Sequence, residues 1–211
     1  MIVAVDGPAA SGKGTIARGL AKHFGLPHMD TGLLYRAVAL NLLRWGGDPG
    51  HQLDALRACD LSQADFNDPE LKSEAVGGIA SRISVYPAVR AALVERQRNF
   101  ATQPGGAVLD GRDICTVIAP EAEVKLFVTA SPEVRARRRL DELKRMRLSA
   151  HYDEVLADIL ARDARDGERA AAPLAVAGDA VLLDTSELGV EAAVGEAIMA
   201  AQRRMAAGFG H

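Results

Sequence analysis

The sequence predicts an α/β fold, a parallel sheet with helices on both faces. Short apolar runs at Ile2–Val5, Ala107–Leu109, Val124–Val128 and Val181–Leu183 are separated by segments of helical period, the alternation expected of such a sheet. A glycine-rich turn joins the first run to the first helical segment. At 211 residues the chain fits one domain with room for a small insertion.

Each element follows from its residues. Ile16, Leu20 and Phe24 recur at four-residue spacing with Ala17 and Ala21 beside them, one face of an amphipathic helix. Leu26–Met29 is a short strand candidate, weakened by Pro27, which has no N–H to give a ladder. Asp30-Thr31-Gly32 supplies a helix start with Thr31 as the cap. Leu34, Ala37, Val38 and Leu42 continue the stripe until Gly46-Gly47-Asp48-Pro49-Gly50 ends it. Residues 51–86 read as short helices and turns. Pro87 opens the next helix, with Val89, Leu93, Arg96 and Phe100 on one side. A long basic helix follows Pro132, Tyr152, Val155, Leu156, Ile159 and Leu160 mark another, and Val190–Met205 is the last.

Composition narrows the function. Lys and Arg number 25 against 28 Asp and Glu, a net charge of −3, and aromatic residues make up 4%. A dedicated nucleic-acid binder would show a basic excess. No apolar run approaches the ~18 residues of a membrane span, and Met1–Asp6 lacks the basic start and long apolar stretch of a signal peptide. A soluble cytoplasmic protein is expected. Cys59 and Cys115 have no metal-ligand or disulfide spacing and are expected as buried small hydrophobes. The five histidines have no metal-ligand spacing and receive no role.

Gly7-Pro8-Ala9-Ala10-Ser11-Gly12-Lys13-Gly14-Thr15 is the strongest signal. It matches G-x-x-x-x-G-K between a strand and a helix, the context a phosphate-binding loop requires. Positions without side chains let backbone N–H groups converge on phosphate oxygens, and the following helix points its positive dipole end at the same anion. Lys13 adds a mobile positive charge for the outer phosphates. Gly14 stands where many such loops carry a metal-ligating Ser or Thr, with Thr15 one residue later. GKGT at this point resembles the nucleoside monophosphate kinases, which implies a metal ion held mainly by nucleotide phosphates and water.

Further along come Asp30-Thr31-Gly32-Leu33-Leu34-Tyr35-Arg36, Asp110-Gly111-Arg112-Asp113 and Arg162-Asp163-Ala164-Arg165-Asp166, with Arg169 and Ala172-Pro173-Leu174 beyond. In this order, the set resembles the bacterial cytidylate kinases over nearly the whole chain, residues 46–75 least. The resemblance implies a P-loop three-layer core with a five-stranded parallel sheet, a helical lid at 140–155 and a short monophosphate-binding insert at 46–86. It implies phosphoryl transfer from ATP to CMP or dCMP, with Mg²⁺ bound with ATP. A monomer is expected, and the net charge and the lack of a long apolar run leave no nucleic-acid or membrane partner expected. Two positions depart from the family pattern. Cys115 stands where a glycine is usual, and the segment between Arg36 and Ser81 is short, so the family's small β-rich insert is expected to be reduced.

The resemblance assigns roles residue by residue. Gly7 through Thr15 would hold ATP. Thr31, Arg36, Ser81, Arg90, Arg112, Asp113, Asp166 and Arg169 would hold CMP, with Asp113 accepting from the cytosine amino group and Ser81 and Arg90 completing the base pocket. Lys13, Arg112, Arg138 and Arg162 would neutralise the transferring phosphate, and Asp110 would help hold hydrated Mg²⁺. The residues alone support part of this. A loop arginine just past a buried strand sits where open parallel sheets bind ligands, which favours Arg112. Arg36 lies one turn inside a helix that starts at the anion site. Asp110-Gly111 is equally a turn signal, and Ser81 and Arg90 alone would be a helix-end serine and a surface arginine. Arg135, Arg137, Arg138 and Arg139 crowd one helix, and charge unpaired locally suits a lid over phosphates. A kinase for another monophosphate such as UMP, or a P-loop regulator without turnover, remain the alternatives.

Overall fold

A computed structural model describes residues 1–208 of the chain. Five strands, β1 (Ile2–Asp6), β2 (His28–Asp30), β3 (Ala107–Gly111), β4 (Val124–Thr129) and β5 (Val181–Asp184), form one sheet in the order β2-β3-β1-β4-β5. Every pairing is parallel. The helices are α1 (Lys13–Phe24), α2 (Thr31–Trp45), α3 (Gln52–Arg57), α4 (Glu74–Ile83), α5 (Pro87–Ala101), α6 (Pro132–Arg145), α7 (Tyr152–Glu168) and α8 (Val190–Gly208). A 3₁₀ turn, Pro69–Lys72, precedes α4, and one wide π turn, Ile114–Ile118, follows β3. Between β2 and β3 the regular structure is all helical.

The sheet is apolar on both sides. Val3 and Val5 face a cluster with Ile16, Leu20 and Ala197, which seats α1 and α8. Ala4, between them, points the other way onto Leu109, Ile114 and Ile118, as the two-residue strand period requires. Leu34, Val38 and Leu42 of α2 pack with Leu71, Val76, Ile83 and Leu93 in a separate cluster beneath residues 31–93. Ala136, Leu143 and Val155 make a small one between α6 and α7.

Local differences from the sequence reading have physical causes. The second strand starts after Pro27, whose carbonyl still accepts from Val108 N–H at 2.9 Å. Asp30, rather than Thr31, caps α2, accepting from Gly32 N–H, while the Thr31 hydroxyl donates to the Asp110 carbonyl at 2.9 Å. Cys115 is buried as expected, but Cys59 is only half-buried, its thiol spent on the Ala55 carbonyl. No helix among the described residues is long and apolar enough to cross a membrane.

Asp6, at the carboxyl end of β1, is fully buried. Its Oδ1 accepts from Ile114 N–H at 2.9 Å and its Oδ2 from Cys115 N–H at 2.8 Å, fixing the turn that carries Asp113. Burial pushes the carboxyl up to about 6, against the pull of the two N–H donors. The native state therefore binds this proton more tightly than the unfolded chain. Its contribution to stability is full below pH 3.8 and is lost as pH rises through about 6. The stability of the wild type relative to Asp6→Asn is expected to fall by about 2–3 kcal/mol between pH 4 and 7, read from urea unfolding. A difference that stays flat with pH would show that Asp6 titrates normally.

Candidate active site

The carboxyl ends of β1, β2 and β3 meet at one edge of the sheet, where open parallel sheets bind ligands. After β1 the chain turns through the glycine-rich loop into α1. Gly7 adopts φ +154°, and a Cβ there would lie 2.0 Å from the Val128 carbonyl oxygen, so only glycine fits. Ala10, a non-glycine at φ +57°, is held in the left-handed region, a conformation that clusters at ligand-binding loops. The loop's carbonyls are tied from behind: Arg135 donates to Ala9, and Arg138 and the Thr185 hydroxyl donate to Ser11. The first N–H groups of α1 have no intrahelical acceptor and remain for an anion. The Ser11 hydroxyl is buried without a partner. Lys13 reaches the Pro8 carbonyl at 3.3 Å. Burial, and then the charge of Arg112, lower its ammonium to about 8, against the pull of Asp110, Asp30 and Asp166.

Beside this loop lies a cavity of about 100 Å³. All eight residues expected to hold CMP line it, and so does Arg162. They come from α2, α4, α5, the end of β3 and α7, segments that no sequence spacing relates. Asp113 pairs with Arg90 and stands 3.8 Å from Arg169. Arg90 is 6% exposed, not the surface arginine its sequence context described, because α5 turns it inward under Tyr35. Arg112 donates to Asp166 at 2.7 Å. Burial disfavours the charge of Arg112, yet Asp166, Asp30 and Asp110 outweigh it and raise its pKa. Helix α7 ends at Glu168 and Arg169 is extended, but its side chain stays in the cavity. The Arg169 Nη2 is buried with no hydrogen-bond partner. The Arg165 Nε–H donates to the Ser81 hydroxyl at 3.1 Å.

The crowded arginines of α6 are more fully engaged than local sequence indicated. Arg135 makes a two-point pair with Asp163 of α7, at 2.9 and 2.6 Å. Arg138 binds Thr185 Oγ1 and its carbonyl, which places it against the phosphate loop rather than in the cavity. Arg139 binds Glu74 of α4, and the other oxygen of Glu74 accepts from Arg162 at 3.1 Å. Burial, then the charges of Arg162 and Arg139, bring Arg36 down to about 10.

Asp110 belongs to β3, not to a turn, and is 2% exposed. Its Oδ1 is 2.7 Å from His28 Nε2, a role the histidine spacing gave no sign of. Its Oδ2 lies 3.6 Å from where a Cβ on Gly14 would be, the position that carries the metal-ligating hydroxyl in many such loops. Asp30 is close enough that its carboxyl is raised by burial and by the charge of Asp110. Among the described residues no group of three or more His, Cys, Asp or Glu could hold a metal ion alone. One aimed carboxylate with a second nearby fits Mg²⁺, which keeps its waters and takes the remaining oxygens from phosphates. Sequence reasoning also missed Tyr35 and Ser84 as lining residues. Tyr35 had a signal, its place directly before Arg36, and Ser84 had none.

A glycine-rich loop of the phosphate-binding pattern beside an arginine-lined cavity is the arrangement of a P-loop phosphotransferase. A sequence model described as cytidylate kinase matches residues 3–203. A cytidylate kinase of Azorhizobium caulinodans is 55% identical over 206 residues, covering 96% of this chain and 98% of that protein. One from Rhodopseudomonas palustris strain TIE-1 is 55% identical, covering 97% of this chain and 100% of its own length. The chain belongs to the cytidylate kinase family. A solved structure of an uncharacterized protein from Eubacterium ventriosum shares the fold at a TM-score of 0.59 and 14% identity, over 96% of this chain and 98% of that one.

The lowered pKa of Lys13 has a measurable consequence. A bound polyanion favours the charged ammonium, so ATP binding should raise the pKa from about 8 toward the ordinary 10.5 and take up a proton in between. Calorimetric ATP binding at pH 9 in buffers of different ionisation enthalpy should show uptake approaching one proton, and almost none at pH 7. Lys13→Met should abolish the uptake. No uptake by the wild type at pH 9 would contradict the placement of Lys13 on the phosphates.

Proposed function

We propose that the chain transfers the terminal phosphoryl group of ATP to CMP and dCMP, giving ADP with CDP or dCDP. The observation that carries this reading is the buried carboxylate of Asp113 between Arg90 and Arg169, in a cavity that also holds Arg36, Arg112 and Arg162. A carboxylate accepts from the exocyclic amino group of cytosine, and an arginine donates to its N3 or O2. Uracil offers a carbonyl and an N3–H instead, which would leave buried polar groups unpaired at about 1–3 kcal/mol each.

The acceptor is a phosphate monoester with a second pKa of ~6, mostly dianionic at neutral pH. It needs no general base, and the chemistry is positioning and charge neutralisation. Gly7, Pro8, Ala9, Ala10, Ser11, Gly12, Gly14 and Thr15 form the ATP cradle with Lys13. Arg36 and Arg112 clamp the acceptor phosphate beside Thr31, and Asp166 takes the ribose hydroxyls. Arg162, with Arg138 at the loop edge, stabilises charge on the transferring group. Mg²⁺ bound with ATP would offset phosphate charge, and Asp110 would hold it through water. Residues 46–86 act as the acceptor insert and 140–155 as a lid that excludes water. Glu74 of the insert binds Arg139 and Arg162, in the helices that run into and out of 140–155, which supports the two segments acting together. In this reading the chain works as a monomer in the cytoplasm with no membrane partner and no nucleic-acid partner, the last supported by the net charge of −3.

A coupled ADP-release assay across the nucleoside monophosphates tests the reading. CMP and dCMP should far exceed UMP, AMP and GMP. Asp113→Asn, whose amide presents either a donor or an acceptor, should narrow the CMP/UMP ratio in kcat/KM by tenfold or more. An unchanged ratio would remove Asp113 from base reading, and an outright preference for UMP or AMP would overturn the cytidylate assignment.

A further inference from the structure

His28 sits at the start of β2, beside β3, with its ring largely covered and its Nε2 2.7 Å from Asp110 Oδ1. The register places His28 opposite Val108 and Asp30 opposite Asp110, so the ring reaches along the sheet to the end of the neighbouring strand. Asp110 is surrounded by competitors. Lys13 and Arg112 both feel its charge, and Asp30 repels it. A carboxylate free to rotate here would be drawn toward those cations. The Thr31 hydroxyl already fixes the backbone of Asp110 by donating to its carbonyl, and the imidazole fixes the side chain.

We propose that His28 is a positioning residue for phosphoryl transfer: its Nε2–H holds Asp110 Oδ1, so that Oδ2 stays aimed at Gly14, where the nucleotide-bound cation is received. This rests on the kinase reading and adds a residue to it. It also accounts for Gly14. A Cβ at Gly14 would lie at ordinary contact distance, 3.6 Å, from Asp110 Oδ2, so a carboxylate oxygen already stands beside the point where other phosphate loops place a hydroxyl, and the loop does without one. Residues that orient a metal-binding group by hydrogen bonding commonly change metal affinity about 10–100-fold when lost.

The test is calorimetric binding of ATP with and without Mg²⁺ to the wild type, His28→Leu and His28→Gln, with CMP binding measured alongside. Leucine fills space without a donor, whereas the glutamine amide can place an N–H near the Nε2 position. His28→Leu should lose about tenfold or more of the affinity that Mg²⁺ adds, while its metal-free ATP and CMP affinities stay near wild type. His28→Gln should keep most of the Mg²⁺ gain. The proposal is overturned if His28→Leu keeps the full gain, or if leucine and glutamine lose it equally, since packing alone would then account for His28. It is also overturned if the wild type gains nothing from Mg²⁺. CMP-dependent ADP release by the wild type judges the kinase reading separately from all of these outcomes.

Discussion

Five arginines and two aspartates line one cavity, and the rest of the site is arranged around that imbalance. Guanidinium groups this close repel one another, and burial raises the cost. Arg36 and Arg169 both have lowered pKa values, with burial as the first cause and a neighbouring arginine as the second. The protein offsets part of the excess internally, with Asp113 on Arg90 and Asp166 on Arg112. What remains positive, including Arg169 Nη2, which has no hydrogen bond, is available to an anion or a base edge.

The same logic links the peripheral helices to the core. Glu74 opens α4, and its carboxylate binds one arginine from α6 and one from α7. A phosphate arriving beside Arg36 would compete with Glu74 for Arg139 and Arg162, which would couple acceptor binding to the position of α6 and α7. From the other side, Arg135 and Arg138 connect α6 to the carbonyls of the phosphate loop. Helix α6 therefore reaches the phosphate loop through Arg135 and Arg138, and α4, beside the arginine-lined cavity, through Arg139 and Glu74. That is the wiring a two-substrate enzyme needs if it is to close only when both are present.

The fold was largely legible because its signals are local. A buried strand, a glycine-rich turn and an amphipathic stripe each lie within a dozen residues, and β1, the loop and α1 fell where the pattern put them. The phosphate loop was legible for the same reason. The acceptor cavity was not, because Ser81, Arg90, Asp113 and Arg169 converge only through packing, and only the family resemblance assembled them in advance. Arg90 looked like a surface charge because it stands beside the stripe of Val89, Leu93 and Phe100 rather than in it. His28 had no partner within sequence reach, since Asp110 is 82 residues away on the adjacent strand. Thr31 was misread as a cap because Asp30 beside it has the same capacity, and β2 ends with Asp30 rather than before it.

If ligand phosphate completes an electrostatic deficit in the native state, most of the stabilisation by CMP must come from its phosphate. The direct measurement is the Tm of the protein with CMP and with cytidine at equal concentration. At concentrations near one hundred times the CMP dissociation constant, the expected shift with CMP is about 5–10 °C. Cytidine, with the same base and sugar, should produce only a small fraction of it. Equal shifts with the two ligands would show that base and ribose contacts carry the binding, and would contradict the claim that the arginine excess organises this site.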